Sequence, residues 1–499
     1  MVQNDAFDAG EQLHARRPAR DAVDAKLCHY GKFQQLTLDK PRLRVYRTFT
    51  VVGAALILGG CASYAPKPLP SSVSLGSSVD RLEVAAAKPA RQTAEALSLD
   101  EVAELAIWNN PDLKAQRTRL GVARAQLYAA GLFPDPQLTA NLDVPTGATA
   151  GLVNAYGIGL GYDLIPLINR GARVASARQG QRQVNLELLW QEWQVSQQAR
   201  FLAVRWVSER RQLALLRRMS ALYQERYRRS DQALQQGDLT VDVVGTDLTA
   251  LLDTLSQMNQ LEQTHNDTGH ALRLVLGLAP AAPLAIRLPP APPAITSEEL
   301  SGLLNTLPKR RPDLLALQAG YESQEAKVRA AILSQFPSLS IGVTRARDTG
   351  NVQTSGFNIG VNLPLFSGNR GAIAIERATR EQLRGEYQAR LDQAEVDVCK
   401  LYQLQGIIAA QQTRLDEYLP TLHQLVDKAS VAYGRRDIDA LTFLNMETTW
   451  INKRLEQTLQ MQSQWENDIA LQTLLAIPAL TPVPARPDVE NDPAGRSDD

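Results

Sequence analysis

The sequence has few of the residues that most catalytic and metal sites are built from. Its three cysteines, Cys28, Cys61 and Cys399, lie too far apart for a disulfide framework or a paired-cysteine metal site. Its five histidines, His14, His29, His265, His270 and His423, are scattered. His265 and His270 are five apart on a helical stretch, so they do not share a face as metal ligands four apart would. No G-x-S-x-G turn, HExxH helix or glycine-rich phosphate loop occurs, so no enzyme activity, metal or soluble cofactor is expected. Charge of one sign is also missing. The 53 Lys+Arg balance 53 Asp+Glu, which argues against binding a nucleic-acid polyanion. Aromatics reach only 6%, while Gln, Arg, Ala and Leu fill long stretches free of Gly and Pro. That composition favours long helices over an aromatic-lined pocket.

The one short apolar run carries a targeting signal. Lys40, Arg42, Arg44 and Arg47 precede Val51–Leu58, and Gly59-Gly60-Cys61 follows. A basic region, a short apolar core and small residues describe a secretory signal peptide. The run is about ten residues, well short of the roughly 20 that a transmembrane helix needs. Leu58-Gly59-Gly60-Cys61 resembles the lipobox of bacterial lipoproteins, which makes Cys61 the expected lipidated first residue of the mature chain. Some forty polar residues precede the basic region, and no Met lies between Met1 and the apolar core. Translation is therefore expected to start at a codon other than Met near Val45. Residues 1–60 are set aside as upstream extension and signal peptide, and 61–96 as a lipidated linker.

The remainder repeats at a period near 200 residues. Asn110-Pro111-Asp112-Leu113 recurs as Arg311-Pro312-Asp313-Leu314, and Asn169-Arg170-Gly171-Ala172 as Asn369-Arg370-Gly371-Ala372. Gly237-Asp238-Leu239 has its counterpart at Arg436-Asp437-Ile438, in the same order. The two repeats span 97–279 and 297–477, joined by a Pro-rich linker at 280–296 and followed by a tail, 478–499, expected to be disordered. Each repeat reads as helix, two strands, then two long helices. Strands are expected at about 137–144, 155–163, 338–345 and 356–364, where apolar and polar or Gly residues alternate with period two. Apolar positions at spacings of three and four from Val195 to Tyr227 predict a coiled-coil seam with Glu209 as its one charged interruption. The helix around it can run on the order of 100 Å.

Four strands cannot close a membrane barrel, because unpaired edges facing lipid are prohibitively costly. Several chains must therefore pool their strands, and three copies supply twelve. The expected fold is an α+β membrane protein with a β-barrel sector and long coiled-coil helical hairpins. Leu142, Ile158, Ile341 and Ile359 should face lipid, and Asn141, Ser340 and Asn358 the lumen.

The lipobox, the two Pro-Asp-Leu helix starts, the strand pairs, Leu363-Pro364-Leu365-Phe366-Ser367-Gly368 and the tip Tyr433–Glu447 together resemble the TolC-type outer-membrane factors, over about Leu97–Ile477. The resemblance implies a trimeric, twelve-stranded barrel above a periplasmic α-barrel. It implies a passive exit duct in the outer membrane of a Gram-negative bacterium, partnered by a periplasmic adaptor and an inner-membrane pump of the resistance-nodulation-division type. The segment Ala130–Pro136 is similar to metal-cation exporters and Arg310–Leu314 to drug-efflux lipoproteins, so both cargo classes stay open. A periplasmic adaptor lipoprotein and the outer-membrane component of type I protein secretion are the alternatives; an adaptor would carry one hairpin, whereas this chain has two. The resemblance also implies a periplasmic constriction at the hairpin tips. Its candidates are Arg435, Arg436, Asp437, Asp439, Leu441 and Leu444 in the second tip and Asp238 and Asp242 in the first. Thr442 and Asn445 stand where the family usually has aspartates.

Overall fold

A computed structural model describes residues 64–83, 96–146, 150–290 and 293–477. Cys61, the signal segment and the tail 478–499 lie outside the described residues. The chain divides into two units, Met1–Val73 and Ser74–Asp499. In the first, residues 64–73 are described and carry no helix or strand. Every element below belongs to the second.

The same element order occurs twice. The first half has α1 (Leu99–Asn109), α2 (Pro111–Gly131), β1 (Gln137–Asp143), β2 (Ala155–Asp163), α3 (Ile165–Gln236) and α4 (Val241–Val275). The second has α5 (Ser297–Arg310), α6 (Pro312–Leu333), β3 (Ser338–Arg347), β4 (Gln353–Asn362), α7 (Arg370–Gly434) and α8 (Ala440–Leu475). Pro111 and Pro312 occupy the first position of α2 and α6, where a missing N–H costs nothing. Asn110 caps α2 by accepting from the Leu113 N–H at 2.9 Å. Arg311, its counterpart, grips the Asp313 carboxylate with both prongs, at 2.9 and 2.6 Å, and lies over the Trp190 ring.

The expected long helices are present. Helix α3 has 72 residues, about 110 Å at 1.5 Å per residue, and Gly237 at φ 83° ends it. Its one proline, Pro166, sits in the first turn. Helix α7 has 65 residues and carries Pro420 in its interior, where the backbone loses one i→i−4 hydrogen bond.

The core is divided into three clusters set along these helices. One joins α1 (Val102, Ala106), α3 (Val204, Val207), α4 (Leu272) and α8 (Trp465, Ile469). A second joins Leu300 and Leu307 of α5 and Leu314 of α6 to Val398 of α7 and Leu471 of α8. A third is Leu216 and Met219 against Ile451. The buried face of α3 is wider than a two-helix seam, because Ala199, Ala203, Val204 and Val207 are covered as well. Several helices pack on α3, and a single stripe cannot serve them all. The Pro-rich linker is pinned by parallel bridges, Leu97 to Ile286 and, just before it, Gly76 to Leu278.

The strands form one antiparallel meander in the order β1-β2-β3-β4. Its register carries rows of residues straight across the sheet, such as Leu138–Leu160–Val343–Phe357. Strands β3 and β4 begin or end a few residues away from the expected limits, reaching Arg347 and starting at Gln353. Strands β1 and β4 each leave one edge unpaired within the chain.

Candidate functional site

Two regions carry the geometry that matters: the two faces of the sheet and the helix ends around Gly237 and Arg436. On the sheet, the register places Leu142, Ile158, Ile341 and Ile359 on one face and Asn141, Ser340 and Asn358 on the other, as alternation predicts. The apolar face is open, with Ile158 and Ile359 more than half exposed. A patch of this kind on a soluble chain would be a liability. On the other face several polar side chains stand opposite a glycine. Asn141 lies opposite Gly157, Asn358 opposite Gly342 and Ser340 opposite Gly360. A Cβ added at Gly157, Gly342 or Gly360 would stand only 2.3–2.5 Å from those side-chain oxygens. The glycines thus let polar side chains lie flat along this face.

At the tips, the residues named from sequence separate into two groups. Arg435, Arg436, Asp437, Asp439, Asp238 and Asp242 are all exposed. Arg436 takes φ 66°, matching Gly237 in the first tip at 83°. Asp439 caps α8, accepting from the Thr442 backbone N–H at 2.7 Å and its hydroxyl at 2.9 Å. Those bonds hold its carboxyl below the usual aspartate range. Asp242 is lowered similarly, first by the Thr240 side chain. Asp439 is therefore already engaged within its own chain. Leu444 is buried within the chain, whereas Leu441 remains 45% exposed.

The structure adds residues that the sequence reading missed. Three arginines on α3 tie the first hairpin to the second. Arg226 donates through Nε to Asp247 of α4 and through Nη1 to Asn445 of α8, both at 2.6 Å. Arg218 meets Glu447 at 2.5 Å, and Arg229 donates to the Tyr433 hydroxyl at 2.6 Å. Arg229 and Arg228 also hold Glu225, whose carboxyl falls to about 2 under their hydrogen bonds. Asp247 and Glu447 are buried, so their ties operate partly out of water. Basic residues recurring on one face of α3 were the available signal; apart from Asp247 and Glu225, their partners lie more than 200 residues away in sequence.

The charged interruption in the seam, Glu209, is buried and accepts from the Thr268 hydroxyl at 3.0 Å. His265 stacks on Trp206 with its Nδ1 3.5 Å from Glu209. Burial pushes the glutamate up and the histidine down. Both shifts favour neutral forms and a packing role. Among the described residues no group of three or more His, Cys, Asp or Glu could hold a metal ion.

Asp468, partly buried beside Arg200, is pushed up to about 6 by burial, against the opposing pull of that arginine. A carboxyl raised from 3.8 in the unfolded chain stabilises fully below that value and loses its contribution as pH rises through 6. Asp468→Asn should therefore raise the melting temperature near pH 7.5 and flatten its dependence between about pH 4 and 6, as read by thermal unfolding. An unchanged pH profile would exclude this carboxyl as the cause.

No family model matches the chain. The crystal structure of the outer-membrane channel OprN superposes with TM-score 0.62 and 16% identity, covering 83% of this chain and 99% of that one. CusC, solved in a study of transmembrane channel formation, gives 0.60 and 19% over 83% and 99%. The fold is that of outer-membrane channels built from paired strands and long helical hairpins. Among curated proteins, the pyoverdine export outer membrane protein OpmQ of Pseudomonas aeruginosa is 27% identical over 379 residues, 68% of this chain and 78% of OpmQ. The chain thus shares the fold of these outer-membrane channels and resembles an outer-membrane export protein in sequence.

Proposed function

We propose that this chain is the outer-membrane exit duct of a tripartite efflux system, a passive homotrimer coupled to a periplasmic adaptor and an inner-membrane pump. The carrying observation is the sheet, four strands with one apolar face, one polar face and two open edges. Joining β4 of one copy to β1 of the next closes a barrel without edges, and three copies give twelve strands. The polar, glycine-rich face then lines the lumen. The helical hairpins extend into the periplasm, where the Arg218, Arg226 and Arg229 ties hold the tips in a closed arrangement.

For cargo, small organic compounds are the favoured reading over metal cations, supported by the export function in the name of OpmQ. Deleting the gene should lower the minimal inhibitory concentration of its organic substrates, with restoration by the gene in trans. Sensitisation to copper, zinc or silver alone would favour the metal reading.

The protein is further held to the membrane by lipid on Cys61, on the strength of Leu58-Gly59-Gly60-Cys61. Cys61→Ser should abolish palmitate labelling and signal-peptidase-II processing while part of the export survives through the barrel. A mutant labelled like its parent would remove the lipid anchor from the scheme.

A further inference from the structure

The apolar face of the sheet is interrupted at one place. Arg345 and Arg347 project from β3 onto it, in line with residues that are otherwise uncharged. The register puts Arg347 in the row Leu142–Tyr156–Arg347–Gln353 and Arg345 in the row Ala140–Ile158–Arg345–Ser355. The remaining strand positions of this face carry no charge. The next row toward the helices is fully apolar, with Val343 and Phe357 largely exposed. Helices join all four strands at the opposite end, so these two rows lie by the hairpin loops. If the helices are periplasmic, as proposed above, the arginines stand at the outer rim.

Neither guanidinium is ion-paired among the described residues. Arg347 lies 5.0 Å over the Tyr156 ring and donates through Nη2 to the Asn154 carbonyl at 2.9 Å, leaving its buried Nε without a partner. Arg345 is exposed, with one long contact of 3.4 Å to Gln353. The carboxylate next along the chain, Asp348, is engaged in its own turn, accepting from the Val352 N–H at 2.9 Å. Two unneutralised cations thus share a lipid-facing surface level with Ile158 and Leu142. An outward-facing arginine is costly deep in hydrocarbon and tolerable near the headgroups. Its planar fork also matches a phosphate oxygen pair better than a lysine does. Two residues apart on one strand face, their Cα atoms are about 7 Å apart, a spacing that two long arginine side chains can span to meet on one phosphate.

We infer that Arg345 and Arg347 form a binding site for the phosphate of a phosphorylated glycolipid in the outer leaflet, one site per protomer. The inference rests on the outer-membrane reading. Tyr156 holds Arg347 as the fixed prong, and Arg345 is the adjustable one.

The test uses trimers purified from outer membranes in detergent, titrated with bisphosphorylated lipid A and read by native mass spectrometry. Wild-type trimers should retain lipid A, and Arg345→Gln/Arg347→Gln should weaken retention about tenfold, the scale of lost charge-assisted bonds. Lipid A stripped of its phosphates should bind the wild type no better than intact lipid A binds the double variant. Equal retention of lipid A by both proteins would overturn the inference. So would full displacement by millimolar inorganic phosphate, which would make this a site for the free ion. If the glutamine pair prevents assembly, Arg345→Lys/Arg347→Lys and the dephosphorylated lipid still decide the matter. Failure to recover any trimer of the wild type from outer membranes would instead sink the outer-membrane reading itself.

Discussion

Ile341→Arg is expected to remove the trimer from the outer membrane, while Ser340→Arg leaves it there. The two residues are neighbours on β3, but the register assigns them to opposite faces, Ile341 beside Ile359 and Ser340 beside Gly360. A charge on the lipid face near mid-membrane costs roughly 2–4 kcal/mol per chain, and the proposed trimer would incur it three times. An arginine at Ser340 can extend into a water-filled lumen, so its effect should be confined to conductance and ion selectivity. Heat-stable trimer on gels of outer-membrane fractions measures the first result, and planar-bilayer recordings the second. Equal loss of trimer in both variants would mean that the two faces are not lipid and lumen.

The second large effect concerns the ties on α3. Replacing Arg226 alone strands Asp247, which is 2% exposed, and breaking a buried ion pair from one side costs about 3–5 kcal/mol. A single mutant would therefore mix instability with opening. Changing both partners, Arg226→Met with Asp247→Asn, removes the link to Asn445 without leaving a buried charge. Adding Arg218→Gln with Glu447→Gln removes the second ionic tie. The quadruple variant should assemble normally, conduct several times more current per channel and admit large antibiotics that the wild type excludes. Wild-type conductance in a well-assembled quadruple variant would return the constriction to the exposed tip, with Leu441 as its first candidate.

The strands were legible where apolar residues alternate, a pattern that glycine in place of a polar residue does not disturb, and β3 and β4 outran their expected limits where Arg347, Gln353 and Ser355 break it. Helix α3 was legible from the absence of proline past its first turn and the spacing of three and four, whereas α7, with Pro420 inside it, was legible from the repeat. Two short helices, α1 and α5, escaped notice although both begin with a signal present in the sequence. Ser98 with Glu101 and Thr296 with Glu299 form complete capping boxes. The attention given to the Pro-Asp-Leu starts obscured them, since each such start lies just after a helix rather than after a loop. The tip residues show a different limit. Their charge drew attention to Asp439, but sequence does not reveal that Thr442 takes up its carboxylate. Nor does it bring Arg226 to Asn445, which is a product of how the hairpins pack.

Pro420 gives the duplicated halves unequal mechanical properties. Helix α3 keeps an unbroken ladder of backbone bonds past its first turn, whereas α7 lacks one rung at Pro420, where a kink is least resisted. Under the same load the second hairpin should bend more readily than the first. In the proposed trimer, straight and compliant members would alternate around the axis, so a modest push at the rim would be taken up by only half of the wall. The two halves follow one plan, and a single pyrrolidine ring sets the compliance of their long helices apart.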